Sequence, residues 1–288
     1  MRNPVGEPVL DVSVVVPVRN AAPLIDECLE SIVRSEPREV IVVDGESTDG
    51  TVEIARRYPV RILSDGGRGL PVARLVGAEA AASPRVALVD ADVVLPDGAF
   101  GALLTEFVEG GYLALQAGLH SSSGPGYWGR ALAEHHRTGR SRDWFGLVAT
   151  IFDRVALLRP GFNRQFLSGA DLELRWRLER AGAKVGVSRR TVVVHRFAGD
   201  SFPFARGQFL ADGYGLGRML RTHGWKSGWL LTLPALAGLR GALLSLLRRQ
   251  PGWIPYYLAF TLYNYVGLLG GVRERGGAAT SQAGAERT

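Results

Sequence analysis

Two aspartates one residue apart close an apolar run in "VALVDADVVLPDG" (86–98). Were the strand to continue through them, Asp90 and Asp92 would point to one side, about 6.6 Å apart. Like charges at that separation repel by roughly 2.5 kcal/mol at an effective dielectric near 20. Water at a surface turn or a cation between the carboxylates relieves that repulsion. Asp44 ends another apolar run in "VVDGESTDGT" (42–51), where a carboxylate can accept hydrogen bonds from a nucleobase or ribose and Ser47 to Asp49 can cap the next helix. Asp171 starts a helix in "FLSGADLELRWRLERAGAKV" (166–185), which suits an N-cap or first-turn acid stabilised by the helix dipole. In "TVVVHRF" (191–197) a strand ends on His195, and a lone histidine is more often structural than a ligand.

One further segment has phosphate chemistry. "DGGRGLPVARLVG" (65–77) sets glycines beside Arg68 and Arg74, which suits backbone and guanidinium contacts to a diphosphate. It fails as a dinucleotide fingerprint, because the third glycine of G-x-G-x-x-G falls on Val72 and the loop follows the third strand rather than the first. An ordinary flexible loop is the other reading.

The elements that must position these groups alternate. Residues 12–16, 39–43, 60–63, 86–89 and 112–118 are continuous β-branched or apolar runs, as expected for a parallel sheet covered on both faces. Helices are expected between them at 22–35, 48–58, 71–82 and 96–110, with Pro71 and Pro96 at first-turn positions. Repeated β-α-β units predict an α/β, doubly wound sheet with ligands at the carboxyl ends of its strands, which lines up Asn20, Asp44, Asp65, Asp90 and Asp92 on one rim. Beyond 119 the expected elements are a helix at 126–139, a strand at 146–152, a helix at 171–181, and strands at 184–187 and 191–195.

Composition narrows the partners. The chain has 288 residues, 46% apolar and 22% charged, enough for one large α/β domain and an appendage. Its net charge of +6 is nearly all scattered arginine, with lysine only at 184 and 226, and no nucleic-acid motif accompanies it. Nucleic acid is therefore not an expected partner. The lone Cys28 excludes an internal disulfide and suits a reducing compartment, and no signal-like apolar stretch opens the sequence.

Toward the C-terminus, residues 228–247 and 251–272 are each long enough to span a bilayer. Spanning by both would place Arg248 and Arg249 of the short link outside, against the positive-inside rule. Helices lying in or dipping into the inner leaflet are expected instead, approached by an aromatic-rich 201–220; helices packed on the catalytic domain or forming a homodimer are the alternative. The polar, Gly/Ala-rich 273–288 is expected to be disordered.

Taken in order, "VSVVVPVRN", "VIVVDGESTDGT", "GRGLPVARLVGAEAA", "VALVDADVVLPDG", "GFNRQFLSGADLELRWRLERAG" and "VVVHRF" resemble the family 2 glycosyltransferases, the inverting sugar-nucleotide enzymes of GT-A fold, over about two thirds of the chain. The resemblance implies a GT-A catalytic domain at 1–200. Its nucleotide-sugar half is 12–118 and its acceptor half 119–200, with a membrane-associated helical region at 201–272. It implies a donor pocket from Pro17, Val18, Asn20, Asp44 and Glu46, with Arg68, Arg74, Asp90 and Ala91 approaching the donor. Asp92 and His195 would attend Mg²⁺ or Mn²⁺ at the diphosphate, and Asp171 would be the catalytic base. The expected partners are a nucleotide-sugar donor and a glycan or lipid-linked acceptor at the cytoplasmic face of the cell membrane.

Two positions depart from the family. Gly45 replaces a second acid after Asp44, and Ala170 replaces the acid of the Glu-Asp pair. "LELRW" is superficially similar to the Q-x-x-R-W of processive synthases but lacks the glutamine and follows Asp171 directly, so single-sugar transfer is expected. A catalytically weak sugar-nucleotide-binding relative or scaffold, and a nucleotidyltransferase on a related sheet, are the competing readings. The latter would carry a Gly-rich loop where this chain has "PVRNAAP".

Overall fold

The computed structural model describes residues 10–138, 144–163, 166 and 168–273, with Trp225 by its backbone alone. Eight strands form one mixed sheet: β1 (Leu10–Val18), β2 (Pro37–Asp44), β3 (Arg61–Ser64), β4 (Arg85–Val89), β5 (Val93–Val94), β6 (Ala114–Ser122), β7 (Ala149–Asp153) and β8 (Val185–Arg196). Their order is β3-β2-β1-β4-β7-β6-β8-β5. β3, β2, β1 and β4 run parallel, β7 is antiparallel to both β4 and β6, β6 and β8 are parallel, and the short β5 is antiparallel to β8.

Burial on both faces explains the unbroken apolar runs. In β1, Val12, Val14, Val16 and Val18 pack with α1 (Ala22–Arg34) and α4 (Ala99–Glu109), through Ile25, Leu29, Ile32, Phe100 and Leu103. Val15 points the other way, into a second core with Ala73 of α3 (Leu70–Ala80) and Leu172, Leu174 and Leu178 of α7 (Ala170–Arg180). Each such side chain, once buried, contributes about 1.5–3 kcal/mol.

Several elements differ from expectation. The helix expected at 48–58 shrinks to α2 (Thr51–Ala55), because Asp49 accepts from the N–H of Thr51 at 3.0 Å and of Ala22 at 3.1 Å and turns the chain before it. The strand expected from 146 starts at 149. Leu147 takes a left-handed φ of 64°, and the Gly146 N–H is held by Gln116 Oε1 at 2.6 Å. The two strands expected between 184 and 195 are one strand, β8, with a bulge. Ser188 Oγ accepts there from the N–H groups of Arg190 and Thr191, and both halves pair with β6. The five-residue α6 (Arg154–Leu158), capped by Asp153, is too short to show a period in sequence. Two further helices sit close to their expected bounds, α5 (Tyr127–Thr138) and α7.

The C-terminal quarter is helical: α8 (Phe202–His223), a 3-10 stretch at 224–232, α9 (Leu233–Leu247), a short 3-10 turn at 251–253, and α10 (Ile254–Arg273). α8 and α10 cross through small residues. A Cβ on Gly213 or Gly217 would collide with the α10 backbone at Asn264 or Leu268, and one on Gly267 or Gly271 with the α8 backbone at Leu210 or Tyr214. Leu216 and Met219 of α8 and Leu268 of α10 join the second core, so this unit is docked on the sheet domain. Among the described residues one segment, 226–247, is long and apolar enough to cross a membrane by length and composition. The expected companion is long enough, but Tyr256, Tyr257 and Asn264 lower its hydropathy. Within 226–247 the α-helical part, α9, has 15 residues, about 22 Å against a hydrocarbon core of about 30 Å. Arg273, placed in the expected tail, ends α10; the rest of that tail, 274–288, lies outside the described residues.

Candidate active site

The carboxyl ends of β1, β2 and β4 form the rim expected from the sequence. At the end of β2, the carboxylate of Asp44 accepts from the Ser47 N–H at 3.2–3.3 Å. Val18 holds the same turn through its carbonyl, which accepts from the Gly45 N–H at 2.8 Å, and Pro17 pairs in register with Val43. Asn20 adopts a left-handed φ of 50°, and its side-chain oxygen accepts from the Thr48 N–H at 2.9 Å, so it shapes the 45–50 loop. Glu46, also left-handed at 62°, is exposed and leans over Gly67 of the neighbouring loop, whose Cβ would meet its carboxylate. That loop is anchored by buried Asp65, which accepts from the Gly67 N–H at 2.9 Å. Exposed Arg68 folds back so that its Nε donates to the Asp65 carbonyl at 2.5 Å.

The two aspartates that opened the sequence reading are not on a strand. β4 stops at Val89, and a turn closed by the Val93 N–H donating to the Asp90 carbonyl at 3.1 Å carries both acids. They are therefore sent to different partners instead of facing each other in strand register. Asp90 Oδ1 takes a 2.8 Å ion pair from Arg74, which is only 5% exposed in the first helical turns of α3. Asp92 Oδ2 lies 3.1 Å from His195 Nε2, while its carbonyl accepts from the Arg196 N–H at 2.8 Å. Asp92 Oδ1 is buried with no hydrogen-bond partner among the described residues. Ala91, between them, packs on the first core and fixes the turn.

His195 is held from three sides. In β8 it pairs with Val93 of β5 and Ser121 of β6, and its Nδ1 lies 3.5 Å from Ser121 Oγ, which in turn is 3.0 Å from His136 Nδ1 of α5. Burial works against the charged imidazolium of His195, but the hydrogen bond and charge of Asp92, with Asp90 behind it, leave its pKa raised. Burial, with the charges of His135 and His195, drives the pKa of His136 down to about 3. Ser121 and His136 were not legible in sequence, since sheet register brings the first beside His195 and the placement of α5 the second.

Asp171 is the second residue of α7, after Gly169, whose left-handed φ of 76° starts the helix. Its Oδ2 accepts from the Trp144 indole N–H at 3.3 Å. Burial pushes its carboxyl above the ordinary value, opposed by the Leu172 N–H, the Trp144 indole and the Arg74 charge. The Arg74 guanidinium thus acts on both Asp90 and Asp171, and links the rim to the helix. Ala170 points into the second core, so the family's other acid has no counterpart at that position. A carboxylate the sequence reading did not single out, Asp212 of α8, interacts with Asp171. The protein packed beside it pushes its carboxyl up, and the Asp171 charge adds to this, although solvent reaches the residue. Among the described residues no three His, Cys, Asp or Glu side chains converge as a ready-made metal set.

Comparisons with known proteins agree with this architecture. The family model described as "Glycosyl transferase family 2" matches residues 13–167, more than half of the chain. The uncharacterized glycosyltransferase YibD of Escherichia coli (strain K12) is 36% identical over 104 residues, 34% of this chain and 30% of YibD, so the chain spans less than a third of that relative. The succinoglycan biosynthesis protein ExoA of Rhizobium meliloti is 26% identical over 71% of this chain and 68% of its own length. Among solved structures, the mannosyltransferase PcManGT of Pyrobaculum calidifontis, in complex with GDP-Man and Mn²⁺, superposes with a TM-score of 0.64 over 90% of this chain and 87% of its own, at 22% identity. The mixed, mostly parallel sheet is thus of GT-A type, and the chain belongs to glycosyltransferase family 2.

Proposed function

We propose that this chain transfers one sugar, with inversion, from a nucleoside-diphosphate sugar to an acceptor hydroxyl, with Asp171 as general base. The observation that carries this reading is a half-buried carboxylate in the first turn of α7, electrostatically linked through Arg74 to the Asp90–Asp92–His195 rim. A base so placed takes the proton of the attacking hydroxyl and contributes about 10²–10⁴-fold. Its raised pKa makes it a better proton acceptor than a solvated carboxylate.

The donor would lie along the rim. Asp44, with Pro17, Val18, Asn20 and Glu46 shaping the turn around it, receives the base and ribose, and Arg68 and Arg74 approach the diphosphate. Asp90 holds Arg74 in place while its second oxygen is left for the donor. Asp92 and His195 would hold Mg²⁺ or Mn²⁺, and the buried, unpartnered Oδ1 of Asp92 fits an oxygen-seeking cation. With only these two protein groups at hand, the remaining positions fall to the diphosphate and water. Such a cation, when bound, neutralises charge developing on the departing diphosphate. Support for this donor class comes from the GDP-Man and Mn²⁺ in PcManGT.

The acceptor would be an envelope glycan or lipid-linked sugar at the inner membrane face; the name of ExoA, a succinoglycan biosynthesis protein, supports a polysaccharide acceptor. Leucines 236, 239, 243, 246 and 247 of α9 and 258, 262 and 269 of α10 are exposed, an apolar face suited to lying in a leaflet. In this reading 1–200 is the catalytic domain and 201–272 the membrane-associated unit. Burial of Ala170 in the core favours, as second reading, a catalytically weak binding relative.

A thermal-shift screen of nucleotide sugars with and without Mn²⁺ tests the proposal. A donor at 100 times its Kd stabilises the native state by about 2.7 kcal/mol. Stabilisation by a single donor class, lost with EDTA, together with donor hydrolysis abolished in Asp171→Asn, is expected. No stabilisation by any donor would refute the reading, and binding without any hydrolysis would favour the second one.

A further inference from the structure

Asp212 sits where α8 should carry an apolar residue. Ala205, Phe209, Leu216 and Met219 are the buried residues of one stripe of that helix, and position 212 falls between Phe209 and Leu216 in the same 4-3-4-3 spacing. A carboxylate in a core stripe is costly unless it meets a partner or a water-filled recess. Asp212 makes no hydrogen bond to any described residue, and solvent reaches it.

Neighbouring contacts locate this part of α8. The residue before Asp212, Ala211, accepts from Ser168 Oγ through its carbonyl at 2.6 Å. One turn further on, Gly215 touches Gly169 so closely that a Cβ on either would stand 2.9 Å from the other's backbone. α8 is thus clamped onto the turn that launches α7 and Asp171. On its far side Tyr256 of α10 is fully buried, and its hydroxyl has no partner among the described residues.

Resting on the proposed function, we infer that Asp212 is an acceptor-binding residue: it receives a hydrogen bond from a second hydroxyl of a sugar acceptor whose reacting hydroxyl is held at Asp171. It supplies from α8 the second carboxylate that Ala170 does not supply from α7. The two acids then divide the work, Asp171 removing the proton and Asp212 orienting the ring that bears it. Hydroxyl donors placed between the two carboxylates would meet acceptors on both.

The experiment is calorimetric titration of the full chain, saturated with Mn²⁺ and UDP or GDP, with the methyl α- and β-glycosides of glucose, galactose and mannose. The wild type is expected to bind at least one glycoside. Asp212→Ala should weaken that binding about 10–100-fold, the worth of a hydrogen bond to a charged group. Its nucleotide affinity should change less than about twofold, and Tm should not fall, since Asp212 is exposed and makes no hydrogen bond to any described residue. Asp212→Asn, which keeps an accepting oxygen, should recover part of the affinity. Equal glycoside binding by Asp212→Ala, no glycoside bound by the wild type, or parallel loss of nucleotide and glycoside affinity with a lower Tm would each overturn the inference. Intact nucleotide binding in those cases leaves the proposed function standing. Failure of the wild type to bind any nucleotide or nucleotide sugar removes the proposed function itself, and the inference with it.

Discussion

The sheet domain and the C-terminal helices bury opposite kinds of residue. Around β1, valine, isoleucine, leucine and phenylalanine fill the interior, and charged side chains face water. In the α8–α10 unit, glycines sit at the helix crossings while leucines face outward. The first pattern is driven by taking apolar surface out of water. The second gains close backbone packing through glycines and leaves leucines exposed, the face that the proposed function lays in a leaflet. Yet the two regions are not separate, since Leu216, Met219 and Leu268 belong to the sheet domain's second core. An enzyme built this way would present its acceptor end next to the surface from which a membrane-bound acceptor arrives.

Changes confined to one region should leave the other's property intact. The largest effect is expected for Asp171→Asn, a turnover loss of about 10²–10⁴-fold. Partition onto vesicles of anionic phospholipid and donor affinity should stay as in the wild type, measured by co-sedimentation and titration.

Next comes the paired change Leu239→Glu and Leu262→Glu, on exposed positions of α9 and α10. With about 1.5 kcal/mol or more per leucine, vesicle partition should fall at least about 100-fold, while donor hydrolysis in solution persists. Loss of a dimer instead, seen by light scattering with vesicle binding unchanged, would assign the face to a second copy of the chain.

A smaller effect is expected at the junction. Gly213→Ala drives a methyl group into the Asn264 backbone, and overpacking of this kind costs about 1–3 kcal/mol. Thermal denaturation should show it. A single cooperative transition that shifts as a whole would show that the two regions melt together.

The finest expectation is in pH. Asp171 must be ionised to act, and burial raises its pKa, so kcat/KM should fall as pH drops through a midpoint above the ordinary carboxylate value of 3.8. Trp144→Phe removes a hydrogen bond that favours the anion and should move this limb further up. Stability runs the opposite way. A carboxyl whose folded pKa is raised stabilises the fold below its unfolded pKa and loses that contribution as pH rises through the folded one. At neutral pH the ionised group is a burden, and Asp171→Asn should raise Tm.

Local chemistry made much of this legible in sequence. Apolar runs ending in Asp44 and Asp90 announced strands buried on both faces with acids at their carboxyl ends, because no other element buries a continuous run so short. Asp171 was legible as a first-turn acid after Ser168-Gly169, since helix starts have local rules. The spacing of Asp90 and Asp92 did not reveal their geometry, because the strand stops before them and a turn closed by backbone hydrogen bonding sends the two acids to Arg74 and His195.

What sequence alone determined was therefore which segments are strand or helix and which residue types stand at their ends, because periodicity, capping and proline act over a few residues. Tertiary structure decided which ends meet. β7 enters antiparallel between β4 and β6. Ser121 and His136 come to lie behind His195, and Arg74 between Asp90 and Asp171. Ala211 and Gly215 of α8 come to lie against Ser168 and Gly169 at the start of α7. Those pairings join residues far apart in the chain, and packing and sheet register fix them rather than any local preference.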